Sequence, residues 1–189
     1  MKVNSNLDGL VIRRTFEEDL ENVRTLWSRG DVMAFVGFPT GLQRSISDME
    51  RWLARKLANA PLEQHFSIYD AGVFCGEAYY RIEPEHDHAA CMDIKLLPSA
   101  RGRGIASTAL SFALDQAFEH GASFAWVDPI PENLAAIALY RHLGFEPATP
   151  PAFISQLSYP DVPEPCPSSV YMEISARKWR RVRGQRHRS

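Results

Sequence analysis

Two short stretches of this 189-residue chain carry residue types that can do chemistry together. The first is a basic turn, Arg101-Gly102-Arg103-Gly104-Ile105-Ala106. Gly102 and Gly104 let the backbone approach a ligand closely. If a helix opens there, its first N–H groups and its dipole form an anion site, and Arg101 and Arg103 add positive charge. The chemistry this suits is phosphate binding, although basic glycine-containing loops are common and the turn alone is not specific. The GxxxxGK[ST] loop of nucleoside-triphosphate sites is absent. The glycine spacing, with no well-placed acidic residue after it, argues against a dinucleotide fold. The second stretch runs from Asn133 to Phe145 and offers one tyrosine, Tyr140, before Gly144. Together the two point to an enzyme that uses a nucleotide cofactor.

The elements that must position these residues can be read from pattern. Residues 10–14 form a first strand. Thr15 with Glu18 reads as a capping box for a helix to about Trp27, and Ser47 with Glu50 as a second for a helix through Leu57. The stretch between them, residues 30–44, is loop-like, with Gly37, Pro39 and Gly41. Residues 65–69 and 73–80 flank the turn Asp70-Ala71-Gly72 and predict a hairpin. Residues 84–88 form a polar turn and 89–97 the next strand, which Pro98 ends. A helix over 104–120 stops at Gly121. Residues 124–128 read as a buried strand, and Asn133 caps the following helix. Seven of the thirteen prolines lie between Pro147 and Pro167. This stretch predicts a strand near 152–157, a long loop and a last strand over 170–176. The loop reads equally as a functional segment or as a cover over the sheet edge.

Composition sets the limits. A chain of this length holds one ordinary domain with a full core, here residues 1–176 including the proline-rich loop 147–168. Its hydrophobic fraction of 45% and charged fraction of 23% are those of a globular protein. No apolar run approaches the roughly 20 residues that span a bilayer, and residues 1–8 lack the apolar stretch of a signal peptide. Cys75, Cys91 and Cys166 lack metal-ligand spacing and fit reduced thiols in a cytoplasm. The net charge of −2 hides an asymmetry, because residues 177–189 hold seven basic side chains and no acidic ones. The other 176 residues hold 14 basic and 23 acidic groups, a net of −9. Such a body suits a cationic substrate better than nucleic acid, which only the basic tail could touch. The plainer reading of that tail is a solvated, partly frayed terminus.

The two motifs together resemble the GNAT superfamily of N-acetyltransferases, which use acetyl-CoA. The superfamily's Arg/Gln-x-x-Gly-x-Gly/Ala signature corresponds to Arg101, Gly104 and Ala106. Its later Asn-x-x-Ala-x-x-x-Tyr-x-x-x-Gly-Phe helix corresponds to Asn133, Ala136, Tyr140, Gly144 and Phe145. The resemblance is sharp over residues 89–145, looser from Leu10 onward, and fails at the proline-rich loop and basic tail. Residues 10–14 and 97–102 look most like the ribosomal-protein N-acetyltransferase group, which also holds acetylases of polyamines, antibiotics and sugars. The resemblance implies a single α/β (α+β) domain with a mixed, mostly antiparallel sheet flanked by helices and splayed between strands 89–97 and 122–128 to admit acetyl-CoA. It implies that backbone groups of Arg101, Gly102, Arg103, Gly104, Ile105 and Ala106, with Ser107 and Thr108, hold the pyrophosphate. Ile94 and Leu96 would pair with the pantetheine arm, Asn133 would contact the cofactor near its reactive end, and Tyr140 would protonate the departing thiolate. No metal is implied.

Acetyl transfer to an amine needs a base. A lysine-like amine titrates near about 10.4, so freeing its lone pair at pH 7 costs on the order of 4–5 kcal/mol. A nearby carboxylate relieves this directly or through water. Asp128 is the first choice, since it ends the strand before the Asn133 helix, and the alternative is a turn residue before Pro129. Asp93 and Glu77 lie on neighbouring strands, where alternation, or one bulge, decides which faces the substrate. Any of the three could instead bind a cationic substrate. His86-Asp87-His88 lacks a third ligand and reads as a solvated loop. Cys91 reads as a strand-core residue, and Trp27, Phe35, Phe38 and Trp52 as core ahead of an acceptor pocket. The expected reaction is direct transfer to a primary amine of a small molecule or a protein N-terminus. The rivals are a non-catalytic acyl-CoA-binding module and an acetylase of a ribosome- or tRNA-linked amine. A homodimer is compatible with each.

Overall fold

Period-two alternation over residues 63–96 sets the frame of the molecule. The structure is a computed structural model that describes residues 9–156 and 169–186. Strands β1 (Leu10–Arg14), β2 (Glu63–Asp70), β3 (Val73–Glu83), β4 (Ala89–Leu96), β5 (Phe124–Val127), β6 (Glu146–Pro147) and β7 (Met172–Ser175) form one sheet. Their order is β1-β2-β3-β4-β5-β7-β6, and every pairing is antiparallel except β4 with β5. The β2–β3 hairpin closes on Ala71 (φ 48°) and Gly72 (φ 80°). Two successive positive φ angles match the twist that a two-residue hairpin requires.

Helices α1 (Leu20–Trp27), α2 (Gly30–Met33), α3 (Ile46–Ala58), α4 (Ile105–Glu119), α5 (Leu134–Leu143) and α6 (Ala176–Arg186) flank the sheet. One sheet face is apolar. Phe66, Ile68, Ala78, Tyr80, Ala90 and Met92 meet Ala109, Leu110, Ala113 and Leu114 of α4 there. Each fully buried leucine of that kind contributes about 1.5–3 kcal/mol. The other face is polar, because the residues between them in sequence point the opposite way. On it His65 stands opposite Tyr79, Ser67 opposite Glu77, Glu77 opposite Lys95, and Tyr79 opposite Asp93. Helices α1 and α3 cover part of this face through Leu20, Val23, Met49, Trp52 and Leu53.

Several sequence expectations are corrected. Thr15 caps nothing: it is fully buried and its hydroxyl bonds His65 Nδ1 and Ser67 Oγ, each at 2.8 Å. A 3-10 turn, Glu17–Asp19, precedes α1 instead, and Asp19 accepts from the Phe16 N–H at 2.8 Å. The capping box of α3 is Ser45 with Asp48, two residues earlier than expected, with reciprocal bonds of 3.2 and 3.1 Å. The loop-like stretch 30–44 contains α2 and a 3-10 turn, Ala34–Val36. Residues Ala152–Gln156, expected as a strand, form a 3-10 helix after Pro150-Pro151, since two prolines remove ladder donors.

The basic terminus is not frayed over α6. Trp179 is buried and donates from Nε1 to Asp115 Oδ1 at 2.8 Å, Arg183 pairs with Asp115 at 2.8 Å, and Lys178 pairs with Glu146 at 2.5 Å. The rest of the proline-rich loop (157–168, with Cys166), the last three residues of the basic tail and residues 1–8 lie outside the described residues. Among the described residues no helix is long and apolar enough to cross a membrane.

Candidate active site

The parallel strands β4 and β5 pair only from Ala89–Phe124 to Cys91–Trp126. Beyond Cys91, β4 keeps its partner β3 but has no pairing with β5. Leu97 N–H bonds the Cys75 carbonyl on the β3 side, so by alternation the backbone of Ile94 and Leu96 faces the other way, a short open edge able to accept an extended ligand as a strand would. A 3-10 turn, Pro98–Ala100, then leads into residues 101–104 and α4. Gly104 is the N-cap of α4 with φ 78°, Gly102 has φ 72°, and no atom lies within 4 Å of where a Cβ would stand at either. That open space and positive φ suit close approach of a ligand to the backbone. The first helical bond runs from Thr108 N–H to Gly104 O at 3.1 Å. The amides of Ile105, Ala106 and Ser107 thus have no carbonyl one turn back, and they face the ligand side with the helix dipole behind them. Ile105 is buried and anchors the turn.

The two arginine side chains do not point into that space. Arg101 donates to the Leu96 carbonyl at 3.2 Å and to the Asp31 carbonyl at 3.1 Å, and Arg103 pairs with Asp70. Both side chains thus brace the turn, and the groups left open there are backbone amides. Asn133 accepts from the Ala136 N–H at 3.2 Å and so caps α5 with its side-chain oxygen.

At the point where β4 and β5 part, Asp93, Asp128 and Tyr140 are close enough for their charges to act on one another. Asp93 Oδ1 accepts from the Ile94 N–H at 2.7 Å and Oδ2 pairs with Lys95. Asp128 keeps an exposed surface but is crowded by protein. That crowding, and then the Asp93 charge, push its carboxyl up to about 6. Tyr140 is buried against Phe145, with ring centroids 5.7 Å apart. Burial first, then Asp93 and Asp128, hold its phenol well above the usual range. At neutral pH it keeps its proton. Tyr171 stacks on Trp126 at 5.9 Å and donates to Glu173 at 3.1 Å; burial first, then Glu173 and more weakly Asp128, push its phenol up.

Glu77 has a different setting. Its buried carboxylate accepts from Trp27 Nε1 at 2.9 Å, from Lys95 Nζ at 3.0 Å and contacts His65 Nε2 at 3.0 Å. Burial alone would raise its pKa, but Lys95 and His65 outweigh it and bring the carboxyl down to about 2. Lys95, bonded to both Glu77 and Asp93, stays charged although burial opposes it. Glu77 is thus the hub of a buried network rather than an available proton acceptor. The sequence reading named Glu77 without Lys95, His65 or Trp27 as its partners. Counting outward from Ala71-Gly72 would set Glu77 opposite Phe66; the register shift between Ile68 and Tyr69 moves it to the face of His65, and Trp27 and Lys95 arrive from α1 and β4. For Tyr171, which follows the proline-rich segment, no local signal exists.

The His86-Asp87-His88 turn is not wholly solvated, since His86 stacks on Phe153 at 4.4 Å. Among the described residues no group of three or more metal-binding side chains occurs. Trp52 is buried as expected of core, whereas Phe35 is exposed.

Residues 25–145 match the model of the acetyltransferase (GNAT) family. No curated protein matches. Solved structures share the fold. Spermidine N-acetyltransferase from Vibrio cholerae, in complex with CoA and spermine, is 22% identical with a TM-score of 0.71, covering 91% of this chain and 98% of its own. An aminoglycoside acetyltransferase in complex with coenzyme A is 22% identical with a TM-score of 0.69, over 92% and 99%. Ribosomal-protein-alanine N-acetyltransferase from Brucella melitensis is 20% identical with a TM-score of 0.68, over 87% and 99%.

Proposed function

The chain belongs to the GNAT acetyltransferase family, and on that premise we propose that it transfers an acetyl group from acetyl-CoA directly to a primary amine. One observation carries the reading. A phenol held protonated and a carboxyl titrating near 6 meet where the strands part, beside the open N-terminus of α4. The residues fit the donor: a β4 edge not paired with β5 at Ile94 and Leu96 for the pantetheine arm, and the amides from Gly102 to Ser107 for the pyrophosphate. Acetyl-CoA supplies the activated acyl group, and the chain supplies position and proton handling.

Asp93 and Asp128 attract the ammonium form of the acceptor. Asp128 takes its proton, directly or through one water, because a carboxyl near 6 is ionised at pH 7 and still basic enough to share a proton. The amine nitrogen bonds the acetyl carbon and the carbon–sulfur bond breaks. Tyr140 gives its phenolic proton to the leaving sulfur, the second proton that the acylated nitrogen sheds returns through solvent to the Tyr140 oxygen, and Asp128 releases its proton to solvent. Intact proton donor and acceptor favour catalysis over a non-catalytic acyl-CoA-binding module. The acceptor is an amine of a small molecule or of a protein N-terminus. The test is acetyl-CoA-dependent thiol release over an amine panel. Turnover that survives at full rate in both Tyr140→Phe and Asp128→Asn removes these roles.

A further inference from the structure

Helix α6 turns two faces to its surroundings, and the transfer chemistry uses neither. The inner face is fastened. Ser175 Oγ accepts from the Lys178 N–H at 3.2 Å and caps the first turn. Trp179 is buried and Val182 packs on the same core. Arg183 pairs with Asp115 and Lys178 with Glu146, so these two cations are spent on the body. The outer face is a stripe of Arg177, Arg180, Arg181 and Gly184, all exposed. Spaced three or four apart, they share one side of the helix. Among the described residues no ion pair or hydrogen bond joins Arg177, Arg180 or Arg181. Arg181 is close to Glu146, but Lys178 already holds that carboxylate.

Folding alone does not call for this stripe. Arg177 stands in the first turn, where the helix dipole disfavours a cation and α6 has no acidic residue to offset it. Arg177 and Arg181 are four residues apart, a repulsive spacing for like charges. Gly184 weakens the helix, and no neighbouring atom lies within 4 Å of where its Cβ would stand. Each choice costs stability, and each suits a ligand with a backbone of phosphates. The guanidinium forks match phosphate oxygens, and the bare surface at Gly184 admits close approach.

The form of the stripe selects among polyanions. Trp179 and Val182 are taken by the core, so no apolar side chain remains in the stripe to enter a bilayer surface, as membrane-lying helices require. A helix is about 10 Å across and α6 offers one side of it, too little to fill the B-form DNA major groove, about 8.5 Å deep. A-form RNA presents a wide, shallow minor groove that a half-embedded helix can lie across. We infer that the outer face of α6 docks on double-stranded RNA through its phosphates. Trp179 binds α6 to Asp115 of α4, on the sheet side away from the Glu77–Lys95–Asp93 network. A docked RNA therefore leaves the acceptor side open, and it holds the protein in place without being the group acetylated.

The test is fluorescence anisotropy of a short labelled RNA duplex titrated with the full chain at several salt concentrations. Saturable binding is expected, with a log–log slope against salt of about −2 to −3, as contacts to three phosphates require. A DNA duplex of the same sequence, vesicles of anionic phospholipid and polyglutamate are run beside it, and each should bind about tenfold or more weakly than the RNA. The triple variant Arg177→Gln/Arg180→Gln/Arg181→Gln should weaken RNA binding about tenfold or more and flatten the salt slope. All three side chains are exposed and glutamine suits a helix, so the thermal midpoint should not move. Absence of RNA binding, or a variant that binds RNA as the unaltered chain does, overturns the inference. So does equal or tighter binding of the DNA, the vesicles or polyglutamate, the last of which would point to an acidic protein surface instead. The salt slope and the comparison among ligands use the unaltered chain, so they decide the matter even where the variant loses its fold.

Discussion

Glu77 and Asp128 lie on the same side of the same sheet, and their surroundings move them in opposite directions. Glu77 is enclosed by Lys95, His65 and Trp27 and is held down to about 2. Asp128 is crowded without a cation, feels Asp93, and is pushed up to about 6. Burial raises both; the partners decide the outcome. A carboxylate with three donors is locked into structure, whereas one left short of donors can exchange a proton near neutral pH. The same residue class thus serves architecture at one place and chemistry at the other.

Substitutions at the two positions should break this comparison if it is wrong. Asp128→Asn is expected to lower kcat by about 10²–10⁴-fold in the thiol-release assay, the usual worth of a positioned base. Glu77→Gln is expected to cost roughly 3 kcal/mol of stability, read by denaturant unfolding, because it removes the buried charge that Lys95 and His65 share and leaves Lys95 only Asp93 as a carboxylate partner among the described residues. A stable Glu77→Gln enzyme with lost turnover would reverse the two roles.

The pH profile sharpens the contrast further. With Asp128 acting as base, kcat/KM should fall about tenfold per pH unit below about 6. Asp93→Asn should move that limb to lower pH by removing a charge that raises Asp128. The smallest effect concerns stability. Glu77 is depressed on folding, so its contribution is complete above the ordinary value of 4.5 and is lost as pH falls from there toward 2. Asp128 is raised, so the folded state binds the extra proton between 3.8 and about 6, and stability falls as pH rises through that window. Asp128→Asn should therefore gain stability at pH 7. Screening at its exposed surface keeps this under about 1 kcal/mol.

Local patterns made much of the frame legible. The hairpin, the Gly102–Gly104 turn, the Asn133 cap and the Gly144 stop all rest on residue types with one dominant local use. The failures share a cause. Thr15 has the makeup of a cap, but buried His65 and Ser67, fifty and fifty-two residues away, compete for its hydroxyl. The basic terminus reads as solvated because its charges mask Trp179 and Val182, three apart, which the core claims. Arg101 and Arg103 looked like anion ligands because they flank the turn, yet remote acceptors, Asp31 and Asp70, take them. For Glu77 and Asp128 the sequence supplied the carboxylates, while the partners that separate them arrive from other strands.

One feature of the sheet bears on how the chain can be cut. Strand β7 sits between β5 and β6, although both precede it in sequence. A polypeptide ending after Phe145 would keep the motif-bearing segment but leave β5, with its buried Ala125 and Val127, as a raw edge. Exposed edges of that kind recruit other chains. The span that identifies the family is therefore not a portable module, and the distant residues 172–175 act as its closing seam.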